Sequence, residues 1–253
     1  MNDCSQSEGG LGSPMDEVLE IVERSNQRGG RMLSVIDLIE AGTLTPAQTC
    51  WLLSRIERGA SWLVGARPGG AGKTAVMSAL LTMLPEGETV RLANPGSGWE
   101  LSKPGECVVA YEISPGRYDG YIWGPPVRRF AGLGKLGCRL VTNLHADTLE
   151  EARSQLVGDN GVPEEHFGAF GIFLPIRVSG GVFSACRRIE AIDYYDGGEW
   201  QPLPVKREPS RRERAILGFL DECLRKRVRT VAAVRRAWLE WRRRSSDDVP
   251  EGR

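Results

Sequence analysis

Residues 61–74 read Ser-Trp-Leu-Val-Gly-Ala-Arg-Pro-Gly-Gly-Ala-Gly-Lys-Thr, and no other stretch restricts the fold as strongly. A short apolar run, Trp62-Leu63-Val64, enters a glycine-rich turn that closes on Gly72-Lys73-Thr74. An apolar helical pattern follows through Ala75, Val76, Leu80, Leu81 and Leu84. Strand, glycine turn and helix in this order are the context that a phosphate-binding loop requires. Glycines let successive backbone N–H groups turn toward one anion, and the helix N-terminus adds partial positive charge. Pro68, Gly69, Gly70, Ala71, Gly72, Lys73 and Thr74 are therefore the expected cradle. Lys73 would reach the β/γ-phosphates and the Thr74 hydroxyl would hold Mg²⁺. The pattern G-x-x-x-x-G-K-[ST] is kept except at its first position, where Arg67 replaces glycine.

With 253 residues, the chain is long enough for one main domain with appendages. Its 41% hydrophobic and 26% charged content is that of an ordinary soluble protein. No apolar run approaches the ~20 residues that a membrane span needs. The start, Met1-Asn2-Asp3-Cys4-Ser5, has neither the basic nor the apolar part of a secretory signal. The six cysteines form no C-x-x-C pair, and Cys50, Cys107 and Cys223 fall in apolar patterns, which predicts buried free thiols in a cytoplasmic setting. Zero net charge conceals an asymmetry. Residues 205–253 hold fifteen Lys/Arg against eight Asp/Glu, a surplus of seven matched by an equal acidic excess in the remainder.

The pattern divides the chain into three parts: 1–33, 34–204 and 205–253. Residues 1–14 are Gly/Ser-rich and polar and predict disorder. Met15, Val18, Leu19 and Val22 share a helical face that stops near Gly29-Gly30. Ser34 with Asp37, and Thr45-Pro46 with Gln48, open two further helices. Beyond the loop, strands are expected at 89–92, 107–113 and 138–143, alternating with helices as in an α/β sheet. Thr148 with Glu151 caps another helix. Residues 172–178 and 182–195 flank Ser179-Gly180-Gly181 as a hairpin, and Asp196-Gly197-Gly198 turns before Trp200. Ser210 with Glu213 then opens a helix carrying Ile216, Phe219, Leu220, Cys223 and Leu224. A second helix from Thr230 carries Val231, Val234, Trp238 and Trp241 on one side and arginines on the other. This helical hairpin is expected to dock on a neighbouring subunit or an acidic partner through Ile216, Leu220, Val234 and Trp238.

Two further residues are candidates for chemistry. The apolar strand Cys107-Val108-Val109-Ala110-Tyr111 runs into Glu112, a carboxylate at a strand tip of the kind that faces metal and water in phosphoryl transfer. The strand Leu140-Val141-Thr142-Asn143-Leu144 runs into His145, one of two histidines, at the edge where α/β sheets bind ligands.

In this order, the pieces resemble the type II/type IV secretion ATPases, whose relatives drive pilus extension and retraction. The resemblance spans about Ser34 to Leu203. Ile36-Asp37-Leu38-Ile39-Glu40-Ala41-Gly42-Thr43-Leu44-Thr45 resembles the family's approach to its phosphate loop. Residues 67–74 stand where the family has Gly-Pro-Thr-Gly-Ser-Gly-Lys-Thr, and Pro104–Ile113 resembles its Walker B strand. Thr142-Asn143-Leu144-His145-Ala146-Asp147, with Glu150-Glu151-Ala152, resembles its histidine box. Arg177, Gly181, Arg187, Arg188 and Ile189 are similar to its closing segment.

The resemblance implies an α/β fold with a RecA-like P-loop NTPase core, here carrying a C-terminal basic helical extension. It implies ATP and Mg²⁺ as ligands, with Lys73, Glu112 and His145 catalytic. It further implies a hexameric ring, membrane secretion or pilus components as partners, and a place in the cytoplasm or at the inner face of the membrane. An arginine from a neighbour would complete the site; Arg117, Arg128 and Arg129 are candidates.

Four departures stand against this. Ala93-Asn94-Pro95 replaces the family's acidic Asp box, Ser114 replaces the arginine after the Walker B glutamate, the loop from Asn94 to Pro104 is shorter than the family's, and too little chain precedes Ser34 for the family's N-terminal domain. A nucleotide-binding regulatory or adaptor protein with little hydrolysis is the second reading. A nucleic-acid module driven by the basic tail is the third.

Overall fold

The computed structural model describes residues 17–26, 29–181 and 185–247. The segment 1–14 and Met15 lie outside them. Three helices precede the first strand: α1 (Glu17–Arg24), α2 (Val35–Glu40) and α3 (Pro46–Ile56). Both α2 and α3 begin with reciprocal capping boxes, Ser34 with Asp37 and Thr45 with Gln48, so two donors at each start are satisfied locally. Helix α1 ends at Arg24, short of Gly29, and buries Val18, Ile21 and Val22.

The strands follow as β1 (Trp62–Gly65), then helix α4 (Lys73–Leu81), β2 (Val90–Leu92), β3 (Cys107–Ile113) and β4 (Tyr121–Ile122). Next come α5 (Pro125–Lys135), β5 (Arg139–Leu144), α6 (Leu149–Arg153), a π-helical turn over Ser154–Asp159 and α7 (Glu164–Phe167). The later strands are β6 (Ile172–Pro175), β7 (Arg177–Ser179), β8 (Cys186–Arg188), β9 (Asp193–Tyr195) and β10 (Trp200–Pro202). Two helices close the described chain, α8 (Arg211–Arg225) and α9 (Val231–Asp247).

Eight strands form one sheet in the order β10-β9-β6-β1-β5-β3-β2, with β4 extending the β3 edge. The strands from β6 to β2 are parallel, and β9 and β10 are antiparallel additions. The fold is therefore mixed α/β around a mostly parallel sheet. Strands β1 and β5 are buried along their whole length, as the middle of a sheet covered on both faces must be. Alternate residues serve two cores. Trp62, Val64, Val109 and Val141 pack with α1–α4, α8 and α9, while Leu63, Val108, Ala110 and Leu140 pack with α5–α7. The register between β3 and β5 shifts across Tyr111 and Glu112, a bulge at the strand tip.

Two expectations are corrected. The segment 172–195 does not form one long hairpin. Its outer halves join the main sheet as β6 and β9, and β7 with β8 forms a separate two-stranded ribbon. Arg177, Val178 and Ser179 are all exposed, so they have no buried face to hold them in the main sheet. Val182 lies outside the described residues. The stripe of Ile216, Leu220, Val234 and Trp238 is not a surface for a neighbour. All four are fully buried in this chain's own core against the α3–α4 layer. Nor do the arginines of α9 all face away. Arg235 is buried and donates to the Thr82 and Leu84 carbonyls (2.8 and 3.1 Å), and Trp238 Nε1 donates to Met83 O at 2.7 Å. These donors satisfy carbonyls just past the C-terminal end of α4, where a helix leaves acceptors without intrahelical partners.

The capping expected at Thr148 and Ser210 is present. Asp196 Oδ1 accepts from Gly198 N and Glu199 N in the turn between β9 and β10. Cys50, Cys107, Cys138 and Cys223 are buried and free. Burial pushes Cys50 and Cys223 up to about 11 and Cys107 higher still, which makes them poor nucleophiles. Among the described residues, no helix is long and apolar enough to cross a membrane.

Candidate phosphate-binding site

The chain leaves β1 at Gly65, where a Cβ would collide with the Ala146 carbonyl and the Phe173 ring. Only glycine lets the loop start between the ends of β5 and β6. Gly70 and Gly72 take φ of 78° and 96°, turning the backbone back over itself before α4 begins at Lys73. Gly72 caps α4 without any side-chain hydrogen bond, and the first turn holds no acidic residue. Its N–H groups, which have no partner inside a helix, point into the loop without competition from a capping oxygen. Pro68, Gly69 and Gly70 are exposed, Ala71 and Lys73 are buried, and Thr74 is half-buried. The Thr74 hydroxyl makes no hydrogen bond among the described residues.

Three strand or helix ends bring the predicted catalytic side chains together. Lys73 Nζ lies 3.0 Å from Glu112 Oε1 and donates to Ala66 O at 3.1 Å. His145 Nε2 lies 2.8 Å from the same Glu112 oxygen. His145 Nδ1 is 3.4 Å from Lys73 Nζ and 3.3 Å from Arg67 O. Glu112 Oε1 is buried and lies close to the Lys73 ammonium and the His145 ring, yet neither contact has hydrogen-bond alignment. The second oxygen, Oε2, accepts from Tyr121 Oη at 2.9 Å. The β3 bulge gives the physical reason. It swings Glu112 out of the strict alternation that would aim it into the α5 layer.

The rim of the loop is tied to α6. Arg67 N donates to Asp147 Oδ1 at 2.8 Å, and its guanidinium forks onto Glu151 at 3.1 and 2.5 Å. Glu151 Oε2 also accepts from Asp147 N at 2.8 Å. The non-glycine at the first loop position thus joins the loop to the segment that carries His145. A cavity of about 330 Å³, lined by Arg67, His145, Glu151, Ser154, Gln155 and Asp159, opens beside it. At the position of the missing Asp box, Asn94 Oδ1 accepts from Gly120 N, closing the 114–120 loop onto β2. Asn94 is therefore committed to the backbone. All three arginine candidates, Arg117, Arg128 and Arg129, are exposed, and Arg128 also donates to Asn160 O at 2.9 Å.

Sequence reasoning missed Tyr121 and Gly65. Tyr121 follows Glu112 by nine residues through an irregular loop, and no local spacing rule pairs them. The residues fit a magnesium nucleotide: two left-handed glycines, an uncapped helix start, a buried lysine and a threonine hydroxyl with no partner among the described residues. Among those residues, no cluster of three His, Cys, Asp or Glu side chains could hold a metal. Mg²⁺ here would depend on Thr74 and on phosphate oxygens, as that ion commonly does.

No family model matches the chain, and no curated protein matches it significantly. Among solved structures, the VirB11 ATPase from the Brucella suis type IV secretion system, in complex with sulphate, is similar over 62% of this chain. The identity is 17% and the TM-score 0.41. The match covers 53% of that structure, so the chain spans about half its length.

Proposed function

We propose that this chain binds ATP with Mg²⁺ and hydrolyses it as a motor ATPase of the secretion and pilus type, on a RecA-like core. The observation that carries the reading is the convergence of Lys73, Glu112 and His145 at one sheet edge beside a glycine-turned, uncapped helix start. Lys73 neutralises phosphate charge, and Thr74 supplies a hydroxyl to Mg²⁺. Glu112 polarises the attacking water and His145 contacts the terminal phosphate. Pro68 to Gly72 supply backbone donors. By resemblance to the family the protein works as a hexameric ring, at the cytoplasmic face of a membrane with secretion or pilus components. An arginine from a neighbouring copy, with Arg117, Arg128 or Arg129 as candidates, would act in trans. The test is ATP turnover measured together with mass by light scattering, with and without nucleotide. Absence of nucleotide binding would end this reading.

A second reading, a nucleotide-binding regulatory protein with little hydrolysis, is favoured by a specific observation. Lys73 and Glu112 pair directly, and the position of the Asp box holds Asn94, whose side chain is bonded to Gly120. Tight binding without turnover would select it. The arginines of α8 and α9 that pair with Glu57 and Glu86 weigh against a nucleic-acid surface, since those charges are answered within the chain.

A further inference from the structure

The ribbon of β7 and β8 reaches the phosphate loop through the Arg187 side chain. Arg187 Nε and Nη2 lie 3.4 and 3.3 Å from the Gly70 carbonyl. Its Cδ is 3.3 Å from the point that a Cβ on Gly72 would occupy. The root of the ribbon is fixed to the α2–α3 layer. Ile189 N donates to Thr43 O at 2.9 Å, and Gln48 Nε2 donates to Ile189 O at 2.8 Å. Arg187 is therefore held over the loop by the fold rather than by its own length alone.

Its electrostatic situation differs from that of the other cations at the loop. Lys73 is paired with Glu112 at 3.0 Å and Arg67 with Glu151 at 2.5 Å. Arg187 is exposed, and its partners among the described residues are two neutral carbonyls, those of Gly70 and Ala185. A polyphosphate brings several negative charges to this loop. A guanidinium with weakly used donors at its rim is well suited to answer them, because its planar fork matches phosphate oxygens.

We propose that Arg187 is a phosphate-binding residue that acts in cis, closing over the nucleotide from the same chain that supplies Lys73. The inference rests on the nucleotide-binding reading above and adds to it a cation that needs no neighbouring copy. Arg188, on the opposite face of β8, serves as the control.

The test is calorimetric titration of the full chain with Mg²⁺ and the slowly hydrolysed analogue ATPγS, at several salt concentrations. Arg187→Gln should weaken binding by about tenfold or more, the scale of a lost charge-assisted contact. It should also flatten the dependence of affinity on salt, which a purely structural role would not do. Arg187→Lys, which keeps the charge and loses the fork, should fall between the two, and Arg188→Gln should match the wild type. If the wild type binds, Lys73→Ala does not, and Arg187→Gln binds with unchanged affinity and salt slope, the assignment of Arg187 is wrong while the nucleotide site stands. If the wild type binds no nucleotide, both are wrong.

Discussion

Lys73 and Glu112 share one ion pair at the mouth of the loop, so each sets what the other can do. Lys73→Ala should abolish nucleotide binding, since the cradle loses its buried cation and leaves the buried Glu112 oxygen with one charged neighbour fewer. Wild-type affinity in that variant, by the same titration, would refute the phosphate-loop assignment. Glu112→Gln should keep binding and slow hydrolysis by about a hundredfold or more, because an amide does not accept a proton from water as a carboxylate does. Unchanged turnover would move the base elsewhere. Tyr121→Phe removes the aligned hydrogen bond that the carboxylate receives among the described residues, the 2.9 Å contact to Oε2. Turnover should drop by about tenfold with nucleotide affinity unaltered. A parallel loss of affinity would mean that Tyr121 supports the loop rather than Glu112. These expectations differ in origin. Lys73, Glu112 and His145 stand out in the sequence because each ends a strand or a glycine turn. Tyr121 does not, because its link to Glu112 is made by a loop whose course depends on Asn94 holding Gly120.

Among elements, local signals were the most legible. The capping boxes of α2, α3 and α8 are contacts across three residues, and each starts its helix where the sequence places it. The run from Cys107 to Ile113 is β3 without change of bounds, since its apolar residues are buried on both sides of the sheet. Long-range choices were not legible. Nothing local marks the bulge at Glu112, the departure of β7 and β8 from the main sheet, or the turn of Arg235 inward to the carbonyls beyond α4. An arginine in the second turn of an amphipathic helix reads as solvated until the partner helix end is known. The inward face of α9 has a measurable consequence. Trp238 is fully buried, donates to Met83 O and stacks near Trp241, with ring centroids 5.1 Å apart. Trp238→Ala should cost about 3–5 kcal/mol in denaturant unfolding, the range for deleting a buried aromatic group. A loss below about 1 kcal/mol would show that α9 is not part of the core.

At the scale of the whole molecule, the basic surplus of residues 205–253 meets the acidic body inside one chain. Glu57 receives both Arg212 (2.5 Å) and Arg242 (2.8 Å), Glu86 receives Arg243, and Glu40 receives Arg229. Glu57 is the least exposed of these carboxylates, and it joins α3 to α8 and α9 at once. Burial alone would raise its titration point. The hydrogen bonds from Arg212 and Arg242 outweigh that and hold it below the ordinary glutamate value of 4.5. A carboxylate depressed in the folded state binds fewer protons there than in the unfolded chain. Its stabilisation is therefore complete above about pH 4.5 and disappears as pH falls through the lower folded value. Glu57→Gln leaves two guanidinium groups facing an amide. At neutral pH this should cost about 2 kcal/mol, below the usual figure for a fully buried pair because both arginines keep some solvent contact. Thermal melts of wild type and variant from pH 7 to pH 3 should converge as the wild-type Glu57 takes up its proton. Curves that stay a constant distance apart over that range would show that the carboxylate does not bind the helical hairpin to the body through its charge.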